Sequence, residues 1–405
     1  MVSLKVLWVS NYRIEEGRGP VIRLVNLMES MAELCELSLC SFGEMECEIK
    51  SLAQDLKVPI YEVPYKNRGW FVDNAGEISD SILNIAKRKS IDIVILTWEI
   101  WDIAVELYKK FKDQPIVFAM VAHSIPFAGL PLKAKGFFRD TFKRALSTNN
   151  AMIRKYLFLK SITSKKVLRN MNLITTTPTV EHRLIKYLKK PHLYTVYPGY
   201  AVVDRFMENN LDNYDYGYEY DLAFMARFEE GKGLFHLIDI IGFIAEKNKH
   251  IKIAMIGTFT FQSDEQKFLK CIKARGLTDN FIFLGWCNEK KKKSILMHSK
   301  LFVYPSYNGD TFSISMLEAL SLGKKVVCYE APFISCNYPS NLDVFRVETF
   351  NDKKVAEICI DLLAQKDFIS NTNYIFVKNN YGNWNNVAKA ELACYKDIIR
   401  SEKRC

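Results

Sequence analysis

No stretch of the chain approaches the run of about 18 apolar residues that a membrane-spanning helix requires. The opening residues, MVSLKVLWVSNYR, hold only a short apolar run and no small-residue cleavage pattern, so they read as a first strand and not as a secretory leader. There is no C-x-x-C pair and no histidine beside a cysteine at zinc spacing, although the chain has 10 cysteines in 405 residues. Neither a small disulfide framework nor a structural zinc site is therefore expected. Cys35, Cys40, Cys328 and Cys359 lie in apolar surroundings and are expected as reduced, buried thiols. Together these absences lead to the expectation of a cytoplasmic protein without a transmembrane segment.

What is present is globular in composition, with 49% apolar and 25% charged residues. At 405 residues the chain exceeds one ordinary core, and two domains of about 200 residues each are expected. The net charge of +10 is concentrated. Residues 133–170 carry eleven basic side chains, beginning with Lys133 and Lys135 and ending with Lys166 and Arg169, against the single acid Asp140. Phe137, Phe138, Phe142, Tyr156, Leu157 and Phe158 are interleaved with them. Such a field attracts anionic surfaces, and basic helices with aromatics lie well on an anionic membrane. A solvated helical face is the plainer alternative. No nucleic-acid recognition motif accompanies the charge, so no nucleic-acid partner is expected.

The rest of the pattern alternates strand and helix. In the first half, strands are expected over residues 4–9, 36–41, 91–96, 116–121, 173–176 and 193–197, with a Gly17-to-Gly19 turn leading into a helix over 21–34. Each strand is short and apolar on both faces, the sign of a parallel sheet covered by helices. Residues 197–200, Tyr-Pro-Gly-Tyr, read as a turn, and 201–219, rich in Asn, Asp and Tyr, as a linker. The second half restarts with strands over 220–225, 251–256, 281–284, 301–304, 325–329 and 344–347 and helices over 234–247, 264–275, 313–322 and 353–366. It closes on a helix over 384–400 with no strand after it. The expected fold class is α/β, with two doubly wound Rossmann-like domains (1–200 and 220–380) facing across a cleft and a closing segment, 381–405, packing back across them. Ligands of such folds bind at the carboxyl ends of the strands.

Three features stand at such strand ends. Residues 301–329 run from a strand through a polar loop into a short helix, the arrangement that binds anions, and place Asp310 and Glu318 eight residues apart. Either carboxylate also has a structural reading: Asp310 in an Asx-turn after Asn308-Gly309, and Glu318 in a capping box beginning at Ser315. In residues 226–233, ARFEEGKG, Arg227 and Lys232 flank a turn whose Gly231 and Gly233 let the backbone approach a ligand. A guanidinium, an ammonium and a free helix N-terminus form a diphosphate receptor, unless both cations merely pair with Glu229 and Glu230. His123 ends an apolar strand, where it is either a packed residue or one aimed at the cleft.

In this order the features resemble the retaining glycosyltransferases of the GT-B fold, within them family 4, the glycosyl transferases group 1. The matching pattern comprises Gly17 and Gly19, His123, Pro198-Gly199, the R-x4-K pair Arg227/Lys232 with Gly233, the strand-ending Gly257, the Phe283-Leu-Gly285 turn, and Pro305-Ser306 before the acidic pair. Where the family has E-x7-E, the first position here is Asp310, which moves the charge by one C–C bond, about 1.5 Å. Two glycines usual in that motif are replaced by Thr311 and Ser313.

The resemblance implies the following roles. The first domain binds the acceptor and the second the nucleotide-sugar donor, which is a co-substrate, so that no cofactor is expected. Arg227 and Lys232 would hold the diphosphate, Asp310 the donor sugar hydroxyls, and Glu318 the ribose. His123 would orient the sugar. The base would sit near Gly285 and Trp286. Gly17, Gly19 and the helix start at Thr311, Phe312, Ser313 and Ile314 would complete the donor-binding set. The D-x-D triplet of metal-dependent transferases is absent, and no metal is expected. The implied reaction is retaining transfer from a UDP-sugar, slightly favoured over GDP, to a glycan or lipid-linked acceptor. An epimerase on the same fold and a transferase-like scaffold that binds without turnover remain open alternatives.

Overall fold

The computed structural model describes residues 3–12, 14–97, 101–123, 162–190, 193–202, 217–307 and 312–403. Asp310 and Thr311, the basic residues from Lys133 to Lys160, and 203–216 of the expected linker lie outside the described residues. The chain divides into two compact units, Met1–Ala201 with Trp384–Cys405, and Val202–Asn383.

The first unit is built on a parallel sheet of seven strands: β1 Lys5–Ser10, β2 Glu36–Phe42, β3 Ile60–Val63, β4 Ile93–Leu96, β5 Val117–Ala122, β6 Asn172–Thr175 and β7 Tyr194–Thr195. Their spatial order is β3-β2-β1-β4-β5-β6-β7, so the chain reverses its direction of travel across the sheet beside β1. Successive residues of each central strand serve opposite faces. Leu7 and Val9, with Val94, Leu96 and Met120, pack on one side, and Val6 and Trp8, with Ile93, Ile95 and Val121, on the other. Both sides are covered, which is why the strands read as unbroken apolar runs.

The helix Ile14–Leu34 and the closing helix Trp384–Glu402 share the second of these faces, through Val21, Leu24 and Met28 and through Val387, Leu392 and Tyr395. A polar chain is buried between them. Trp8 Nε1 donates to Tyr395 Oη at 3.0 Å, the Tyr395 hydroxyl donates to Glu391, and Glu391 Oε2 pairs with Arg23 Nη2 at 2.6 Å. Arg23 Nε also donates to the Gly199 carbonyl at 2.7 Å. The closing segment is thus part of the first unit, and the helix Asn371–Tyr381 that precedes it belongs to the second.

The helix Ile14–Leu34 corrects one expectation: Gly17 and Gly19 lie inside it, not in a turn before it. A glycine in a helix costs about 1 kcal/mol relative to alanine. The apolar face from Val21 to Met31 contributes several buried side chains of about 1.5–3 kcal/mol each, enough to carry the helix back through both glycines. Elsewhere Thr177 caps the helix Pro178–Leu188, accepting from Val180 N at 3.2 Å with proline at the first helical position.

The second unit repeats the plan with six strands: β8 Tyr220–Met225, β9 Ile253–Ile256, β10 Phe281–Gly285, β11 Ser299–Tyr304, β12 Lys325–Tyr329 and β13 Val344–Val347. All are parallel in the order β10-β9-β8-β11-β12-β13, and the direction reverses between β8 and β11. Leu222, Phe224, Leu301 and Val303 face one core, and Ala223, Met225, Phe302 and Tyr304 the other. The nine cysteines among the described residues are free, and burial pushes the Cys35, Cys40, Cys328 and Cys359 thiols up to about 12.

Candidate active site

A reversal in strand order leaves two adjacent loops turning away from each other at the carboxyl edge of a sheet, and the gap between them is where open α/β folds bind ligands. In the second unit those loops follow β8 and β11. The first holds Arg227, then a 3₁₀ turn Glu230–Lys232, then Gly233, after which the helix Leu234–Ala245 begins. Gly233 has φ +83°, and a Cβ there would stand 2.2 Å from the Pro305 carbonyl oxygen. Only glycine lets the two loops close on one another. The contact continues where Tyr307 N donates to the Gly231 carbonyl at 3.2 Å. A second glycine serves the neighbouring strand end: Gly257, φ +140°, would place a Cβ 1.9 Å from the Ala226 carbonyl.

Arg227 is half-exposed and pairs with Glu229 at 3.1 Å. This is the pairing that the plainer reading of the R-x4-K turn anticipates for Arg227. With its guanidinium half in solvent, such a pair contributes about 1 kcal/mol, too little to prevent a more highly charged anion from taking the guanidinium. Lys232 ends the 3₁₀ turn immediately before the helix N-terminus, whose cap, Gly233, offers no side-chain acceptor.

On the other side of the gap, Ser313 is buried and caps the helix Ile314–Ser321, accepting from Met316 N at 3.2 Å. Serine has taken over the helix start in place of the family glycine. Glu318 is therefore not the partner in a capping box begun at Ser315. It lies a full turn into the helix and is 7% exposed. Its Oε1 receives Lys292 Nζ at 2.6 Å, from the helix Glu289–Met297. Burial raises the Glu318 carboxyl above the usual range, and Lys292 opposes that rise. Phe312 packs on Tyr381, ring centroids 5.8 Å apart.

At the end of β10, Gly285 accepts from Gly257 N at 2.9 Å, and the Trp286 side chain is 75% exposed. Tyr307 is held by His236 and Phe350, with ring centroids 5.5 and 5.0 Å away. His236 Nδ1 is 2.9 Å from Asp352 Oδ2, and Tyr329 donates its hydroxyl to the same carboxylate. This support for the loop after β11 has no single-residue signature in the sequence. Lys292 has a partial one: with Lys293 it stands one turn before the buried Ile295, Leu296 and Met297, which sets these two apart from the exposed Lys291 in a run of four lysines.

The structure brings Arg227, Lys232, Gly285, Trp286, Phe312, Ser313, Ile314 and Glu318 to the carboxyl edge of one sheet. His123 is in the first unit, where it is 5% exposed, with Nδ1 3.1 Å from the Tyr200 hydroxyl. Burial, aided by the nearby Arg23 charge, lowers its pKa to about 3, so its imidazole is neutral at ordinary pH. Gly17 and Gly19 are helical, as described above. Among the described residues no group of three His, Cys, Asp or Glu side chains is placed to hold a metal ion.

Residues 215–380 match the family of glycosyl transferases group 1. The second unit is a group 1 glycosyltransferase domain. A phosphatidyl-myo-inositol mannosyltransferase of Mycobacterium leprae is 26% identical over 126 residues, 31% of this chain, and the match covers 29% of that relative's length. Solved structures extend the likeness along the chain. Anabaena Alr3699/HepE, solved with UDP and glucose, aligns with a TM-score of 0.70 at 12% identity, covering 98% of this chain and 99% of that one. A glycosyltransferase from Rickettsia africae gives 0.70 at 16% identity, with 98% and 99% covered. The sucrose-phosphate synthase of Thermosynechococcus elongatus gives 0.74 at 12%, with 98% and 100% covered. At these identities the likeness establishes the fold, which is GT-B.

Proposed function

We propose that this group 1 glycosyltransferase moves a sugar, with retention, from a UDP-sugar to a glycan or lipid-linked acceptor, and that it needs no metal ion. The observation that carries the reading is the R-x4-K turn, locked through Gly233 onto the loop that leads to the buried Glu318. UDP is favoured over GDP because a structural neighbour over the whole chain was solved with UDP and glucose. A lipid-linked acceptor is in keeping with the name of the mannosyltransferase relative.

Breaking the anomeric C–O bond leaves a nucleoside diphosphate with growing negative charge, so preorganised positive potential is the main catalytic term. Arg227, released from Glu229, and Lys232 supply it. The acceptor oxygen forms its bond to the anomeric carbon on the face that the diphosphate leaves, and its proton passes to a phosphate oxygen. Glu318 accepts from the ribose hydroxyls, and the base lies along the Gly285-Trp286 backbone. By family resemblance, Asp310 takes the sugar hydroxyls and neutral His123 orients the sugar. Residues 1–200 are assigned the acceptor. No described helix is long and apolar enough to cross a membrane. Residues 133–170 are proposed to dock on the anionic cytoplasmic face of one.

The test is Lys232→Ala assayed for acceptor-dependent UDP release. Removal of one such charge donor should lower kcat by about 10²–10³-fold without changing the melting temperature. Unchanged turnover would overturn the diphosphate assignment. Tight UDP binding without turnover of any UDP- or GDP-sugar would favour the scaffold reading.

A further inference from the structure

Glu318 is surrounded on its own helix by the buried residues Leu317, Ala319 and Leu320, and its side chain is 9% exposed. A carboxylate in such a place is strained towards its neutral form. What opposes this is a single side chain from a different element, Lys292, whose ammonium sits 2.6 Å from Oε1 and is itself 21% exposed. The family pattern that marks Arg227, Lys232 and the acidic pair does not include this lysine. It stands within Lys290–Lys293, a run that looks like a solvated face, yet it lies on the buried stripe of its helix.

We propose that Lys292 is a positioning residue of the donor site, holding Glu318 as a fixed, ionised double acceptor for the vicinal diol of a nucleotide ribose. The inference rests on the assignment of Glu318 to the ribose. An ionised carboxylate offers acceptor sites on both oxygens, whereas a protonated one turns one oxygen into a donor and halves what a diol can use. Lys292 occupies one site on Oε1 and leaves Oε2 for a ligand. Its charge also strengthens the remaining hydrogen bonds by fixing the carboxylate as an anion.

Other groups around the helix do not substitute for it. Glu289, from the same helix as Lys292, acts in the opposite sense and raises the Glu318 carboxyl. On the strands packed against Ile314–Ser321, Lys300 pairs with Asp221, and Lys325 bonds Gln365 and the Asp367 carbonyl. Lys378, from the helix Asn371–Tyr381, lies over the Tyr374 ring. The Cys328 thiol on β12, pushed up to about 12, carries no charge at neutral pH.

The experiment compares UDP with 2′,3′-dideoxy-UDP by calorimetry on the full chain from pH 5 to 8.5. For the unaltered protein at pH 7.5, UDP should bind at least about tenfold more tightly than the dideoxy probe, since even one charged hydrogen bond is worth that factor. Glu318→Ala should abolish that preference. Lys292→Met should weaken UDP while leaving the dideoxy probe unchanged. It should also move the pH at which the diol preference is lost upward by about one unit or more, since loss of an adjacent opposite charge shifts a carboxyl by 1–3 units. Lys292→Arg should restore both. If the unaltered protein shows no diol preference, the ribose assignment of Glu318 fails. If Glu318→Ala removes the preference but Lys292→Met keeps it with an unmoved pH midpoint, the ribose assignment stands and the role of Lys292 is overturned. Lys292→Gln, which keeps a donor without the charge, decides the matter in the same way if Lys292→Met does not fold.

Discussion

Replacing Glu391 by alanine should destabilise the first unit by about 3–5 kcal/mol, the cost of removing one member of a buried ion pair. Arg23 and Glu391 are both 0% exposed in their side chains and stand 2.6 Å apart. Glu391 also takes the Tyr395 hydroxyl, so the substitution leaves both a guanidinium and a phenol without that acceptor. Arg23 would retain the Gly199 carbonyl, 2.7 Å from Nε, as its described acceptor. For a unit of about 220 residues, each kcal/mol shifts the melting temperature by about 2–4 °C, giving a fall of about 6–20 °C. Because the chain has two units, the reading should come from the first alone, by hydrogen exchange of the β1 amides alongside calorimetry. Asp397→Ala is the comparator. It breaks the Arg400 pair, whose side chains are 71% and 61% exposed, and should change little. The double change Arg23→Met with Glu391→Met should recover most of the loss, because an apolar pair of similar volume has no charge to leave stranded. A loss below about 1 kcal/mol for Glu391→Ala would refute the view that this pair ties the closing helix to the first unit.

Gly233→Ala would force a Cβ to within 2.2 Å of the Pro305 carbonyl. It should lower kcat/KM by about 100-fold through displaced loops, with circular dichroism unchanged. Lys292→Met should become progressively less stable than the unaltered protein as the pH rises from 4.5 to 8, measured by urea titration. The sign follows from Glu318, whose folded-state carboxyl is raised by burial: its contribution is present at low pH and lost as the group ionises without its partner. His123, lowered to about 3, has the opposite sign. Its contribution is full above about pH 6.5 and falls by up to about 1.4 kcal/mol per unit below that. His123→Gln should therefore flatten the acid limb of the stability curve between pH 6.5 and 4, and an unchanged limb would mean that the imidazole is accessible to protons in the folded state.

The sheet strands are legible in the sequence wherever both faces are covered. For β8, β12 and β13 the expected and observed limits coincide, because each is a short, mainly apolar run bounded by polar residues or a turn. Strand β3, IYEV, is different: it lies at the sheet edge with only Val63 buried, so it carries no apolar run to read. The helix Asn371–Tyr381, NTNYIFVKNNY, likewise escapes a periodicity search, since it buries only Asn373, Val377 and Tyr381 and its start depends on the Ser370 cap. The helix Ile14–Leu34 shows the reverse error, in which two glycines suggest a turn that tertiary packing overrides.

The site divides along the same line between local and non-local information. Arg227, Lys232 and Gly233 are close in sequence, and their spacing around a turn already implies an anion receptor. Their spacing also anticipates the pairing of Arg227 with Glu229, but it does not contain the partner of Glu318. Within its own helix, Glu318 has Ser315 three residues away, which suggests a cap. Its actual partner, Lys292, is 26 residues distant, on the helix that follows β10, a strand separated from β11 by β9 and β8. A carboxylate paired in this way is oriented before any ligand arrives, with the ammonium opposing the rise that burial imposes on it, whereas a capping carboxylate would have its oxygens drawn to backbone amides. The distinction determines what residue 318 can do: the pairing with Lys292 leaves an oxygen available to a diol.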